Sequence, residues 1–435
     1  MDSYSETLNR IYNLRGGVID LRLDRMKLAL SVFDHPEKKF PSFHIAGTNG
    51  KGSTAAMLHN ILCLSGYRVA LYTSPHLVSF TERIRVGHEE ITPEEVVALA
   101  NEIWDRMAAA NIPLTFFEFV TVMAFIHFAR RQIDVAVVEV GLGGRLDATN
   151  LVRPVVSLIS TISRDHEAYL GSDLLSIGRE KGGIIKKGVP VVCGALPADV
   201  RNLLKNIADN HDAPFYSLGH HFTFSLKKEN LFDYTGIKWR LTEVDVALRG
   251  QHQRRNAALA VAGLEIAADA FPVQAGALRA GLKSVRWPGR FEIVQDRATI
   301  VLDGAHNGEG VRALIEELEN FREKRAVKLL FACMEDKDWR LMLENFSEVA
   351  DEIVLTRVNM ERCANPHRLA SHLGRKVPHQ TVDNARLALE NVLEHATSND
   401  LIVVAGSLYL IGEIRAILQE MSAAKSVKQN SQSQV

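Results

Sequence analysis

The sequence has few features of a disulfide-rich, membrane or nucleic-acid-binding protein. Its 435 residues include four cysteines, too few and too widely spaced for a disulfide scaffold or a CxxC metal site. No run approaches the roughly 18 apolar residues of a membrane span. The first residues, MDSYSETLNR, lack the basic residues followed by an apolar run that begin a signal peptide. Lysine and arginine number 51 against 52 acidic residues, so no overall basic surface is indicated. We therefore expect a cytoplasmic protein without membrane or nucleic-acid partners.

The sequence does contain a repeated alternation of strand-like and helix-like segments. Runs such as VAVVEV and VVSLIST are typical of strands buried in a parallel sheet. Between residues 215 and 250 apolar residues recur at every second position, which predicts a few antiparallel strands appended to that sheet. The WPGR segment favours a boundary, after which the alternation restarts.

The predicted fold class is therefore α/β, with two domains. Residues 1–287 form a P-loop-containing domain with a mainly parallel sheet and a small antiparallel addition. Residues 288–423 form a smaller Rossmann-like α/β domain, and the polar residues 424–435 form a disordered tail.

A glycine-rich loop, GTNGKGS, lies between a predicted strand and a predicted helix. Glycines let backbone N–H groups turn toward phosphate oxygens, and the helix amino terminus adds partial positive charge. The spacing departs from GxxxxGK[ST], and the alternative is a glycine-rich turn with a solvated lysine. The strand-loop-helix context favours a phosphate site formed by Gly47, Thr48, Asn49, Gly50, Lys51, Gly52 and Ser53.

Three candidate metal ligands follow predicted strands beside this loop. Glu139 ends an apolar run before a glycine-rich segment, and Ser74 and His166 also come after strands. Ligands of open α/β sheets bind outside the carboxyl ends of strands. Taken singly, Glu139 has a simpler explanation as an edge residue and His166 as a core or surface histidine. Together the three predict a Mg²⁺ site completed by phosphate and water.

Four further residues are candidates for chemistry. Lys181 would ordinarily be a solvated helix lysine, and its ammonium cannot ligate a metal unless CO₂ carbamylates it. Asp303 and His306 follow a strand of the second domain and suit nucleotide orientation or proton transfer. Arg290 is suited to clamp a phosphate. Arg290 and the Asp–His pair are each equally compatible with a surface position.

Ten motifs, taken in order, resemble the folylpolyglutamate synthase and dihydrofolate synthase branch of the Mur ligase superfamily. They are GTNGKGS, TSPHL, FEFVT, VVEVGLGGRLDATN, DHEAYLG, REKGGIIK, HQRRNAALA, PGRFEI, DGAHN and AGSLYLIGE. The resemblance implies an ATP-dependent ligase that joins L-glutamate to dihydropteroate, to the γ-carboxyl of folate polyglutamates, or to both. The compact length favours the bifunctional form, and we expect a monomer.

The resemblance also implies roles for individual residues. In the first domain these are Lys51 and its loop for the ATP phosphates, Ser74, Glu139 and His166 for a first Mg²⁺, carbamylated Lys181 for a second, and Asn256 for the adenine. In the second domain, Arg290 and Asp303 would contact phosphate or ribose, and His306 would lie near the γ-phosphate and the reacting carboxylate. A monovalent cation such as K⁺ is a further candidate cofactor.

One position departs from the family pattern. Gly182 stands where many relatives have alanine, directly after Lys181. We expect this change to matter little, because the lysine is retained.

Two other functions compete with this one. A peptidoglycan amino-acid ligase would carry a nucleotide-sugar domain before the phosphate loop, and the loop begins at Gly47, which leaves no room for it. A P-loop ATPase without ligase chemistry would hydrolyse ATP without glutamate. Glutamate-dependent release of ADP therefore distinguishes the ligase from the ATPase.

Overall fold

The computed structural model describes residues 3–14, 22–228, 230–296 and 298–432, with side chains up to residue 424. Contacts divide the chain into two units. Unit 1 consists of Met1–His76, Thr81–Ala247 and His252–Arg286, and unit 2 of Leu77–Phe80, Leu248–Gln251 and Trp287–Val435. The main change of unit falls one residue before the expected boundary at 287/288. Leu77–Phe80 and Leu248–Gln251 belong to unit 2, although both lie within the predicted first domain, residues 1–287. No helix in the described part of the chain is long and apolar enough to cross a membrane.

Unit 1 is built mainly of strands alternating with helices. The elements are α1 (Tyr4–Asn13), α2 (Asp24–Val32), β1 (Ser42–Ala46), α3 (Lys51–Leu64), β2 (Val69–Tyr72), β3 (Ile84–Val86), β4 (Glu89–Glu90), α4 (Pro93–Ala110), α5 (Phe116–Arg130), β5 (Val135–Glu139), β6 (Pro154–Ile159), α6 (Glu167–Leu170), α7 (Leu174–Gly182), β7 (Val191–Cys193), α8 (Ala198–Asn210), β8 (Phe215–Ser217), β9 (Thr223–Leu226), β10 (Leu231–Thr235), β11 (Arg240–Asp245), α9 (Gln251–Ile266) and α10 (Ala275–Ser284).

The main sheet of unit 1 has eight strands in the order β4-β3-β2-β5-β1-β6-β7-β8. Strands β2, β5, β1, β6, β7 and β8 are parallel, and β3 and β4 run antiparallel at one edge. Every residue of β1, β2 and β5 is buried, as continuous apolar runs in a covered parallel sheet require. Strand β1 is central, so the loop that follows it lies between the ends of β5 and β6.

The antiparallel strands predicted between residues 215 and 250 form a sheet of their own, in the order β11-β10-β9. The predicted antiparallel strands are therefore present, but they form a separate sheet and do not extend the parallel one. The separate sheet is held to α9, where the Glu265 carboxylate accepts hydrogen bonds from the Tyr234 hydroxyl at 2.6 Å and from the Trp239 N–H at 2.7 Å. These long-range contacts have no local sequence signal.

Unit 2 is a second, smaller α/β fold. Its elements are β12 (Glu292–Gln295), β13 (Thr299–Leu302), α11 (Gly308–Phe321), β14 (Ala326–Phe331), α12 (Trp339–Phe346), β15 (Glu352–Thr356), α13 (Pro366–Leu373), β16 (His379–Val382), α14 (Ala385–Glu394), β17 (Asp400–Ala405) and α15 (Leu408–Gln432). The strand order is β12-β13-β17-β14-β15-β16, and all neighbours are parallel except β12 with β13.

The last helix corrects the predicted disordered tail. Helix α15 continues to Gln432, so residues 424–432 are helical. The segment contains no glycine or proline that would end a helix, and its polarity alone was a poor signal of disorder. The final three positions of the predicted tail lie outside the described residues.

Candidate active site

The phosphate loop requires glycine at two positions. Gly47 and Gly50 have φ angles of 147° and 85°, in the left-handed region that side chains disfavour. Gly50 caps α3 without a side-chain hydrogen bond, which leaves the first amide groups of the helix as donors for an anion. A Cβ atom on Gly50 would overlap the amide of Asn256. The structure therefore brings Asn256, from α9, directly against the loop.

Polar residues after β6 hold the loop in place. The Thr48 N–H donates to the Thr161 carbonyl at 2.8 Å, and the Thr48 hydroxyl donates to the Ser163 carbonyl at 3.1 Å. The Ser160 hydroxyl donates to the Asn49 carbonyl at 2.6 Å. Ser160, Thr161 and Ser163 were not predicted as site residues. The available signal was a run of hydroxyl residues at the end of a buried strand.

Two lysine side chains converge on one carbonyl oxygen of this loop. Lys51 Nζ donates to the Gly47 oxygen at 3.0 Å, and Lys181 Nζ donates to the same oxygen at 2.9 Å. Lys181 is 5% exposed, so its ordinary interpretation as a solvated lysine is wrong. Burial, and then the nearby Lys51 charge, lower the pKa of Lys181 to about 7. A large fraction of this amine is therefore neutral near neutral pH.

The glycine-rich loop after Glu139 packs against the main chain of Glu180 and Lys181. A Cβ atom on Gly144 would lie 2.8 Å from the Glu180 carbonyl oxygen and 3.0 Å from that of Lys181. The Arg145 N–H donates to the Glu180 carbonyl at 2.8 Å. The loop that follows Glu139 therefore supports the end of α7 that carries Lys181.

The two glycines after Lys181 should respond differently to alanine. A Cβ atom on Gly183 would overlap the Arg145 main chain, so we expect Gly183→Ala to lower the free energy of unfolding by about 2 kcal/mol or more. At Gly182 the added atom would meet only the flexible ends of Leu204 and Ile207, at 2.7 and 3.1 Å. We expect Gly182→Ala to change stability by less than about 1 kcal/mol. Denaturant unfolding of the two variants measures both values, and equal stabilities would contradict this packing.

Glu139 and Ser74 lie together beside the phosphate loop. Glu139 is the last residue of β5, is 5% exposed, and pairs in register with Ile45 of β1. Its carboxylate accepts a hydrogen bond from the Ser74 N–H at 3.1 Å. Strand β2, which precedes Ser74, pairs with β5. The register of three neighbouring parallel strands therefore brings these residues to one edge of the sheet.

A buried network fixes the loop after Glu139. The Asp147 carboxylate accepts hydrogen bonds from the Leu142 N–H at 2.8 Å and the Thr149 N–H at 3.0 Å. The Thr149 hydroxyl also contacts His44 Nε2 at 2.9 Å. Burial raises the pKa of Asp147 and lowers the pKa of His44 to about 3, so the imidazole is neutral. Asp147 is a site residue that was not predicted, although it lies in the VVEVGLGGRLDATN motif.

His166 follows β6 and precedes the short helix α6. Its φ of 52° is left-handed, which costs a residue other than glycine about 1 kcal/mol. Its ring is 39% exposed, and Nε2 lies 3.9 Å from an Asp165 carboxylate oxygen. Leu170 of α6 lies against Gly143, in the loop after Glu139. In the described ranges, no three His, Cys, Asp or Glu side chains form a metal cluster. The predicted ligands are Ser74, Glu139 and His166. Because one of them is a serine, they would not form a cluster of this kind.

Unit 2 gathers Arg290, Asp303 and His306 around one loop. The Asp303 carboxylate accepts hydrogen bonds from the Phe291 N–H at 2.8 Å and the Ala305 N–H at 2.9 Å. Burial raises the pKa of Asp303, and the Arg290 guanidinium opposes that shift. His306 Nδ1 lies 2.7 Å from the Gly304 carbonyl oxygen, so Nδ1 carries a proton. This hydrogen bond fixes the orientation of the imidazole ring on the loop.

Comparisons with known proteins place this geometry in a family. Residues 45–264 match the Mur ligase middle domain, and residues 289–408 match the Mur ligase, glutamate ligase domain. The chain is 35% identical over 411 residues to the dihydrofolate synthase/folylpolyglutamate synthase of Bacillus subtilis (strain 168), which covers 91% of this chain and 95% of the relative. This chain belongs to the folylpolyglutamate synthase/dihydrofolate synthase family of Mur ligases.

Solved structures agree with this family assignment. Escherichia coli FolC in complex with DHPP and ADP superposes with a TM-score of 0.89 at 31% identity, over 97% of this chain and 99% of that chain. The bifunctional folylpolyglutamate synthase/dihydrofolate synthase of Yersinia pestis, complexed with AMPPNP and Mn ion, gives 0.87 at 33% identity, over 96% and 98%. The predicted α/β Mur-ligase fold is confirmed. The protein is an ATP-dependent acid–amino-acid ligase that adds glutamate to folates.

Proposed function

We propose that this ligase is bifunctional and joins L-glutamate both to dihydropteroate and to the γ-carboxyl of folate polyglutamates. The observation that carries the ligase chemistry is the convergence of Lys51 and Lys181 on the Gly47 oxygen. Glu139 lies at the neighbouring strand end. The Bacillus subtilis and Escherichia coli relatives carry both activity names, which supports the bifunctional form. Their names do not separate the two activities for this chain, so the test must offer both acceptors.

The residues of unit 1 suit ATP and a divalent metal ion. Lys51 and the amide groups at the start of α3 would bind the phosphates, and Asn256, which lies against Gly50, would contact the adenine. Ser74 and Glu139 supply oxygen donors, which Mg²⁺ prefers, and His166 would complete the protein ligands of a first ion. Bound Mg²⁺ would neutralise charge on the transferring phosphoryl group. Complexes of relatives with ADP and with AMPPNP and Mn ion support this assignment.

Lys181 suits carbamylation by CO₂. The neutral amine would attack the carbon of CO₂, form an N–C bond and lose one proton, which gives a carbamate anion. Burial and the Lys51 charge favour the neutral amine that this reaction needs. The product would place a negative group beside the Lys51 ammonium, where the two lysines otherwise repel each other. The carbamate oxygens could then hold a second Mg²⁺.

The chemistry converts a poor acylating agent into a good one. A carboxylate oxygen of the pterin or folate substrate attacks the γ-phosphorus of ATP, ADP leaves, and an acyl phosphate forms. The neutral amine of glutamate then attacks the carbonyl carbon, and phosphate leaves through a tetrahedral intermediate. Lys51 holds the phosphates in line for the first step. Arg290 and Asp303 would contact phosphate or ribose, and His306 would contact the reacting groups.

Product analysis with the two acceptors tests the bifunctional assignment. Purified protein receives ATP, Mg²⁺ and labelled glutamate, with dihydropteroate in one reaction and tetrahydrofolate in another. We expect glutamate-dependent ADP release in both reactions and a product heavier by one glutamate residue in each. A product in only one reaction would show a monofunctional enzyme, and ATP hydrolysis independent of glutamate would show an ATPase.

His306→Ala should lower turnover more than it lowers ATP affinity. The residue would make one hydrogen bond to a charged reacting group, worth about 2 kcal/mol, so kcat should fall about 30-fold. Steady-state kinetics and nucleotide binding give the two quantities. His367→Ala is the control, because that side chain is 67% exposed in the same unit. An unchanged kcat in His306→Ala would remove the residue from the mechanism.

Three further assignments stay predictions. They are a K⁺ cofactor, a monomeric state, and a cytoplasmic location without nucleic-acid partners. Activity measured with Na⁺ in place of K⁺ checks the first, and sedimentation of the purified protein checks the second.

A further inference from the structure

A short segment after Ser74 belongs to the other unit of the fold. Leu77–Phe80 is part of unit 2, although the chain on both sides, Met1–His76 and Thr81–Ala247, is part of unit 1. The segment begins three residues after Ser74, a proposed metal ligand. The site in unit 1 is thus joined covalently to unit 2 through very few residues.

Leu77 is seated in a socket in unit 2 that two glycines make possible. A Cβ atom on Gly412, in α15, would overlap the Leu77 carbonyl oxygen and lie 2.8 Å from its carbonyl carbon. A Cβ atom on Gly289 would lie 3.1 Å from Leu77 Cδ1 and 3.2 Å from Ile411 Cγ2. The side chain of Leu77 also packs against the apolar cluster that contains Ile411 and Ile414. Gly289, Ile411 and Gly412 therefore form the Leu77 socket.

The residues directly before Leu77 make hydrogen bonds within unit 1. The Ser74 N–H donates to Glu139 at 3.1 Å, and His76 Nδ1 accepts a hydrogen bond from Arg83 Nε at 2.8 Å. An extended chain spans at most about 3.6 Å per residue. With only Pro75 and His76 between them, Ser74 and Leu77 can lie at most about 11 Å apart, so the seat of Leu77 limits the positions that Ser74 can take.

We propose that Leu77 is a positioning residue, which ties the Ser74–Glu139 contact to unit 2 through the Leu77 socket. The inference rests on the proposed role of Ser74 as a metal ligand. When Leu77 is seated, Ser74 is held against Glu139. When Leu77 is not seated, the segment from Ser74 to Leu77 is held only at its Ser74 end. Ser74 and Glu139 are then no longer held in register as metal ligands.

The test compares variants of the full-length protein. Gly412→Ala fills the socket, Leu77→Ala empties it, and Leu77→Met restores an apolar side chain of similar length. Gly276→Ala is the matched control, because an added Cβ in helix α10 meets nothing within 4 Å. For each variant, the Mg²⁺ concentration for half-maximal ligase activity is measured, together with thermal unfolding and the affinity for ADP without metal.

We expect Gly412→Ala and Leu77→Ala to raise the half-maximal Mg²⁺ concentration by about 10-fold or more, the usual effect of losing a group that orients a metal ligand. ADP affinity should be unchanged, and Leu77→Met should return to the wild-type Mg²⁺ dependence. If Gly412→Ala does not fold, the two Leu77 variants decide the question alone.

A Mg²⁺ dependence equal to that of Gly276→Ala would overturn the proposal. Wild-type protein that shows no glutamate-dependent ADP release would instead contradict the proposed function, so the two failures are distinguishable.

Discussion

We expect Glu139→Gln to abolish ligase turnover and to leave the fold intact. Glutamine has nearly the same shape, and its carbonyl oxygen can still accept the hydrogen bond from the Ser74 N–H. It lacks the negative charge that a Mg²⁺ site requires, and the loss of such a metal costs several kcal/mol in the transition state. We expect kcat to fall by at least about 1,000-fold, which corresponds to about 4 kcal/mol.

The matched control for this variant is Glu37→Gln. Glu37 is also buried, at 3% exposure, but it lies before β1, at the other end of the strand from the phosphate loop. Circular dichroism and thermal unfolding establish that both variants fold. Glu139→Gln with full glutamate-dependent ADP release would show that this carboxylate takes no part in catalysis.

Lys181→Met is expected to reduce turnover by at least about 100-fold, because a second metal charge worth about 3 kcal/mol would be lost. Wild-type activity should fall in buffer freed of CO₂ and return when bicarbonate is added. The variant should be insensitive to bicarbonate. Lys205→Met, at a lysine side chain that is 56% exposed, is the control.

The lowered pKa of Lys181 also sets a pH dependence. Only the neutral amine reacts with CO₂, and its share grows as the pH rises through about 7, rather than through the usual 10.5. Activation by bicarbonate should therefore increase across that range and level off above it. Electron density for an unmodified Lys181 in a crystal of the active, ATP-bound enzyme would contradict carbamylation.

The sequence was informative wherever a site residue stands at the end of a buried strand. Parallel strands bring their carboxyl ends to one edge of a sheet, and Lys51, Ser74 and Glu139 were expected at that edge because each stands at or after the end of a predicted strand. Their apolar runs are continuous because both faces of the sheet are covered. The same reasoning placed Asp303 and His306 on one loop of unit 2.

Other features depend on contacts that are distant in sequence. Lys181 looked like a solvated lysine because the partner of its ammonium group, the Gly47 carbonyl oxygen, lies 134 residues away in sequence. Strand β16 and helix α13 were not predicted, since every residue of β16 is only half-buried and its sequence, HQTV, is not an apolar run. The membership of Leu77 in unit 2 likewise rests on Gly289 and Gly412, far along the chain.

The central claim is that ATP activates the substrate carboxylate as an acyl phosphate, and isotope transfer tests it most directly. Dihydropteroate or a folate is labelled with a heavy oxygen isotope in the reacting carboxyl group and turned over with ATP, Mg²⁺ and glutamate. The account predicts that each released phosphate carries one labelled oxygen from that carboxyl group. Phosphate without the label, released at the rate of amide formation, would contradict it.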